Sequence, residues 1–160
     1  MNNDTAPIIK QLIDLIIKGN AHVTFEKAVA NISFENIGIK PDNLPYNVWM
    51  LVEHIRITQA DILNFSINAD YKELKWPDEY WPKEEMPKDE SEWQKCLDQI
   101  LHDREEFINL LNKPAVDLFT PFSHGNGQNL MREALLIADH NSYHTGEIVL
   151  IRRLLNDWHS

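Results

Sequence analysis

In four stretches of this chain the apolar residues recur every three or four positions, which is the period of a helix and not of a strand. The first stretch holds Ile8, Leu12, Leu15 and Ile16, with Gly19 where a C-terminal cap is expected. In the second, Asn47 stands as N-cap of a helix running to about Phe65 on Val48, Leu51, Val52, Ile55, Ile62 and Phe65. Asp89-Glu90-Ser91-Glu92 reads as a capping box. The helix it opens carries Trp93, Leu97, Ile100, Leu101, Phe107, Ile108 and Leu111, and Pro114 follows its end. The longest pattern begins at Asn129 and passes through Leu130, Ala134, Ile137, Ile148, Ile151, Leu154 and Leu155 to about Trp158. Nothing reads as a sheet. These patterns predict an all-α four-helix bundle, up-down with one long crossover loop.

The intervening segments agree with that plan. Val23 to Ile32 holds a weaker helical pattern, and Asn36 to Pro45 reads as a loop with Gly38, Pro41 and Pro45. Pro77, Pro82 and Pro87 rule out a continuous helix between Asp70 and Lys88. With 160 residues, 43% of them apolar, one domain over 1–160 is the simplest expectation. Between Asp70 and Glu106 stand 13 acidic and 6 basic residues, so most of the net charge of -10 belongs to this middle segment. Such a surface repels phosphate backbones, and nucleic acid is not an expected partner. The longest apolar runs have five residues, far below the ~20 that span a bilayer, so no membrane partner is expected. Met1 to Thr5 lacks the basic and apolar regions of a signal peptide. A cytoplasmic location follows as the default. The single cysteine, Cys96, excludes an intramolecular disulfide and a cysteine-based zinc motif, and it is expected to pack as a small hydrophobe.

Two of the seven histidines stand in a pattern that chemistry can use. His140 and His144, at i and i+4, project from one face of the last helix between Ile137 and Ile148. A pair of imidazoles at that spacing can chelate one divalent cation. His54, flanked by Leu51 and Ile55, repeats the situation in the second helix. If the two helices face each other, the three histidines form a site with open coordination positions, which is the catalytic rather than the structural arrangement. Against this stands the ordinary role of a histidine among apolar residues, a hydrogen-bonded core side chain. His140-Asn141-Ser142-Tyr143-His144 lacks the glutamate of the zincin signature. His22, His102, His124 and His159 read as surface or loop residues, with His124 a possible neighbour of the site.

At these residues the sequence resembles the DinB-like family of metal-binding four-helix bundles. The matching stretches run from Trp49 through His54 to Leu63, and from Ala138 through His140, His144, Gly146 and Arg152-Arg153 to Leu155. The resemblance implies one divalent ion, nickel, zinc or iron, held by His54, His140 and His144, and a homodimer. Relatives in that family include thiol S-transferases and isomerases that use bacillithiol, mycothiol or glutathione, and others have no known activity. Glu147 stands where the family commonly has glutamine.

An open three-histidine metal can bind and deprotonate a thiol, or it can activate water. The resemblance favours a low-molecular-weight thiol as co-substrate with a small-molecule electrophile; a metal hydrolase and a non-catalytic, stress-associated metal-binding bundle remain the alternatives. Asp61 follows His54 by seven residues and Glu147 follows His140 by seven, so each shares its histidine's face. Either carboxylate could accept the non-ligating imidazole N–H or a substrate proton, or stand solvated at the bundle edge. Tyr143 is expected to pack. Arg152 and Arg153 suit the negative end of the last helix dipole, or alternatively a substrate carboxylate. The loop bearing Trp76, Tyr80 and Trp81 is a lid, a dimer surface or simply the crossover.

Overall fold

The structure, a computed structural model, describes residues 5–158. The expectations resting on Met1 to Asp4 and on His159 lie outside the described residues. Six helices follow one another: α1 (Ala6–Ile17), α2 (Phe25–Val29), α3 (Phe34–Ile37), α4 (Val48–Ile67), α5 (Glu90–Leu111) and α6 (Leu130–Leu154). Among the described residues there is no strand. No helix is long and apolar enough to cross a membrane. The four long helices are α1, α4, α5 and α6. α4 packs against both α5 and α6, and α1 against α6 and, more lightly, α5.

Two apolar clusters make the core. One gathers Trp49, Leu51, Ile55, Trp93, Ile100 and Ile148; the other gathers Leu12, Ile62, Phe107, Leu111, Leu130 and Ile137. Each buried aliphatic or aromatic side chain contributes about 1.5–3 kcal/mol of transfer free energy. His54 stands between Val52 and Ile55 of the first cluster, and His140 and His144 fall between Ile137 of the second and Ile148 of the first. On α6 the two histidines therefore interrupt the core where one cluster gives way to the other. Buried Gln59 crosses the same layer: its Nε2 donates to the Ile100 carbonyl at 2.6 Å, and its Oε1 accepts from Asn141 Nδ2 at 2.9 Å. One side chain thus joins α4, α5 and α6.

The three long N-termini are capped as expected. Asn47 accepts from the Met50 amide, Asp89 from Glu92 and Asn129 from Arg132. The capping box is shifted by one residue, because Glu92 reaches back to the amide of Lys88 and not of Asp89. Asn47 has a further role. Its Nδ2 donates to the carbonyls of Gly38 (2.9 Å) and Glu85 (2.7 Å), which ties the crossover to the start of α4.

Several boundaries differ from the expectations. Gly19 is not a left-handed cap: α1 ends at Ile17, Lys18 is extended, and Asn20 carries the positive φ of 46°. Gly19 is needed for a close approach instead, since a Cβ there would collide with the His22 carbonyl. The loop assigned from Asn36 begins only after Ile37, the end of α3. α6 stops at Leu154 and not near Trp158, because Asn156 turns left-handed at φ 56°. Three residues placed on core stripes face outward: Leu15 is 47% exposed, Leu101 38% and Leu154 54%. In α1 the buried residues are Ile9 and Leu12, with Ile8 half-buried beside them.

Candidate metal centre

His54 comes from the middle of α4, and His140 and His144 come from successive turns of α6. Because α4 packs on α6, one ring nitrogen from each of the three lies within 4.8 Å of the others. Among the described residues they form the one group of histidine, cysteine or carboxylate side chains placed to hold a metal ion. His54 and His144 are buried and His140 half-buried.

Hydrogen bonds point to the nitrogen that two of the three rings offer. His54 Nδ1 meets the Tyr80 carbonyl at 2.7 Å, so it carries the proton and Nε2 keeps its lone pair. His144 Nδ1 meets Glu147 Oε2 at 2.7 Å, and its Nε2 is likewise left as the free donor atom. His140 Nε2 stands 3.1 Å from His54 Nε2, while its Nδ1 is buried with no hydrogen-bond partner. Two nitrogens each 2.0–2.1 Å from a tetrahedral ion lie about 3.3 Å apart, so the closer pair already stands near that edge length. The residues fit a divalent cation. Burial pushes the imidazolium forms of His54 and His140 down, His140 to about 4, and that keeps the rings in the neutral state a ligand requires.

The surroundings hold these rings in place. Trp81 lies flat on His54, with centroids 4.0 Å apart and planes 2° from parallel, and Tyr46 stacks on Trp81 at 6.3 Å. The Tyr46 hydroxyl donates to Glu147 Oε1 at 2.5 Å, so both Glu147 oxygens are engaged, one by a phenol and one by an imidazole. This bond, with burial adding to it, raises the pKa of the Tyr46 phenol to about 12.

Of the carboxylates singled out in the sequence, Glu147 reaches a histidine, but His144 three residues before it and not His140 seven before it. Asp61 does not reach His54. Its oxygens accept from Tyr71 (3.0 Å) and Tyr80 (2.8 Å), because the crossover comes between it and the ring. His124 is also outside the cluster, with Nε2 bonded to the Phe65 carbonyl at 2.9 Å. Tyr143 does not pack inside: a 100° rotation from His144 leaves it 66% exposed. Arg152 is neither a simple dipole partner nor open to substrate, since it is 2% exposed and donates to the carbonyls of Ala28, Ala30 and Asp157. Cys96 is buried as expected; its thiol donates to Glu53 at 3.0 Å, and burial pushes its pKa up, which keeps it inert. Of the three aromatic residues in the loop, Trp81 and Tyr80 border the site, while Trp76 is largely in solvent.

No family model, curated protein or solved structure matches the chain. The geometry of the site stands as the ground for its function. Sequence reasoning missed Tyr46 and the Tyr80 carbonyl. Tyr46 precedes its own helix's N-cap and lies 101 positions from Glu147, and a backbone carbonyl leaves no residue-type signal at all.

Proposed function

We propose that the chain is a DinB-like four-helix bundle in which His54, His140 and His144 hold one divalent metal ion, and that it acts as a metal-dependent thiol S-transferase on a small electrophile. One observation carries the metal reading: three imidazoles from two helices converge, and the Nδ1 atoms of two of them are engaged elsewhere, which leaves Nε2 for the cluster. A divalent ion there would supply the charge that binds an incoming thiol and lowers its pKa. The chain's own contribution is to orient and to exclude water. The Tyr80 carbonyl fixes His54, Glu147 fixes His144, Tyr46 fixes Glu147, and Trp81 covers the ring of His54.

The engagement of both Glu147 oxygens speaks against water activation by that carboxylate, and so against the hydrolase reading. The inertness of Cys96 means that the thiol comes from outside the protein. The depth of His54 and His144 favours a second reading, a bundle that holds metal without catalysis, because a substrate must pass Trp81 to reach them. A homodimer is part of the proposal, supported by the exposed Tyr143, Leu150 and Leu154 on α6.

The test joins metal analysis to a thiol screen. Protein purified without an affinity tag is expected to carry about one divalent ion per chain, and His140→Ala and His144→Ala each lose most of it. Full retention in the double variant overturns the site. Metal-loaded protein that consumes no glutathione or cysteine against chlorodinitrobenzene favours the non-catalytic reading.

A further inference from the structure

Beside the histidine cluster lies a second, chemically different concavity. It is a cavity of about 430 Å³ between α4, α6, the crossover and the loop that precedes α6. Such a volume suits a small molecule. No histidine of the cluster lines it. Its walls are aromatic and its charge is negative. Phe65, Tyr71 and His124 form one contiguous aromatic wall, with the Phe65 ring meeting Tyr71 at 5.1 Å and His124 at 4.9 Å. Asp61 and Glu133 present carboxylates to the same space.

The state of those carboxylates points to the ligand. Asp61 is half-buried, and its hydrogen-bond donors are two phenols, Tyr71 and Tyr80, not cations. Glu133 is 1% exposed and pairs with Arg132 through Oε1 at 2.8 Å. Glu73 adds a third carboxylate to the lining, against the single guanidinium of Arg132, whose side chain stands half in solvent. Burial raises both Asp61 and Glu133 above the ordinary carboxylate range, so each gains from a cation that replaces lost hydration. A bare metal ion is not that cation, because among the described residues the ligand atoms of this cavity do not gather as those of the histidine cluster do. An organic ammonium meets both features: its charge faces the carboxylates, and its body lies against aromatic faces.

We infer that this cavity is a binding site for a small organic ammonium ion, with Asp61 and Glu133 as its counter-charges and Phe65, Tyr71 and His124 as its wall. The inference does not depend on the metal reading, since the cavity contains none of the three histidines.

Benzylammonium is the probe, titrated into the full-length protein and followed by amide NMR, with benzyl alcohol and benzoate as companions of nearly the same shape. Benzylammonium is expected to shift the Gly125 and Asn126 amides at the cavity edge saturably, and to bind at least about tenfold more tightly than benzyl alcohol. Benzoate is expected not to bind there. Asp61→Asn, which keeps an acceptor for the phenols, is expected to weaken benzylammonium by about tenfold, and Glu133→Gln to weaken it in the same direction. Equal affinity for the alcohol, or shifts confined to residues outside the cavity, overturns the inference. That comparison is made on the unmodified protein and needs no variant to fold. Repeating the titration after chelation separates the two readings: unchanged ammonium binding in protein that never takes up metal removes the metal centre alone.

Discussion

Glu133 is buried in the wall of a cavity, and its one cationic partner, Arg132, stands half in solvent. Burial raises its carboxyl above the ordinary value of 4.5, with the charge of Asp61 adding to the effect and Arg132 opposing it. A carboxyl whose folded pKa is raised stabilises the fold fully below the unfolded value and loses that contribution as pH rises through the folded value. At neutral pH the ionised group is therefore a liability. Glu133→Gln is expected to raise stability at pH 7 by roughly 0.5–2 kcal/mol, the usual range of a single stabilising change. The gain should shrink as pH falls toward 4.5, in urea unfolding followed by circular dichroism. A variant less stable at pH 7 would show that the Arg132 pair outweighs burial. At this scale the three histidines were legible because their spacing and apolar flanks are written in the chain. The partners that orient them were not. Tyr80 acts through its carbonyl, and the Tyr46–Glu147 bond closes over a distance that periodicity does not report.

At the scale of elements, the long helices were legible and their ends only partly so. Asn47, Asp89 and Asn129 each cap as a side chain of that type does before an apolar run. Helix C-termini were read less well, because asparagine takes the left-handed turn at Asn20 and Asn156 where glycine is the stronger signal. Short helices such as α2 and α3 owe their existence to packing and not to propensity. For α2 the fastening is Arg152, which reaches from α6 to the carbonyls of Ala28 and Ala30 just where the helix ends. Arg152→Leu strips those carbonyls of charged donors and is expected to cost roughly 1.5–3 kcal/mol. Amide hydrogen exchange should show Phe25 to Val29 opening first. Exposed Arg153, its neighbour in the chain, is the control: Arg153→Leu is expected to stay within about 0.5 kcal/mol. Equal losses for the two would reduce Arg152 to a helix-dipole partner.

For the molecule as a whole, the histidine cluster joins α4 to α6, and the crossover is held against it through Tyr80 and Trp81. An ion bound there would cross-link elements far apart in sequence, with a ligand set that the unfolded chain does not hold together. Binding to the folded state alone stabilises by an amount set by ligand concentration over Kd, about 4 kcal/mol at a thousandfold excess. In a chain of 160 residues each kcal/mol moves the melting temperature by about 2–4 °C. Chelator-treated protein is therefore expected to melt about 8–16 °C below the same protein given excess nickel or zinc, with the rise following the logarithm of free metal. His144→Ala should abolish that dependence, and so should His54→Ala from the other helix. Tyr46→Phe should keep a dependence shifted to higher metal concentration, because Glu147 then orients His144 without its second partner. A melting temperature indifferent to metal in the unmodified protein would leave the three imidazoles as a hydrogen-bonded core layer, the ordinary role of histidines among apolar residues.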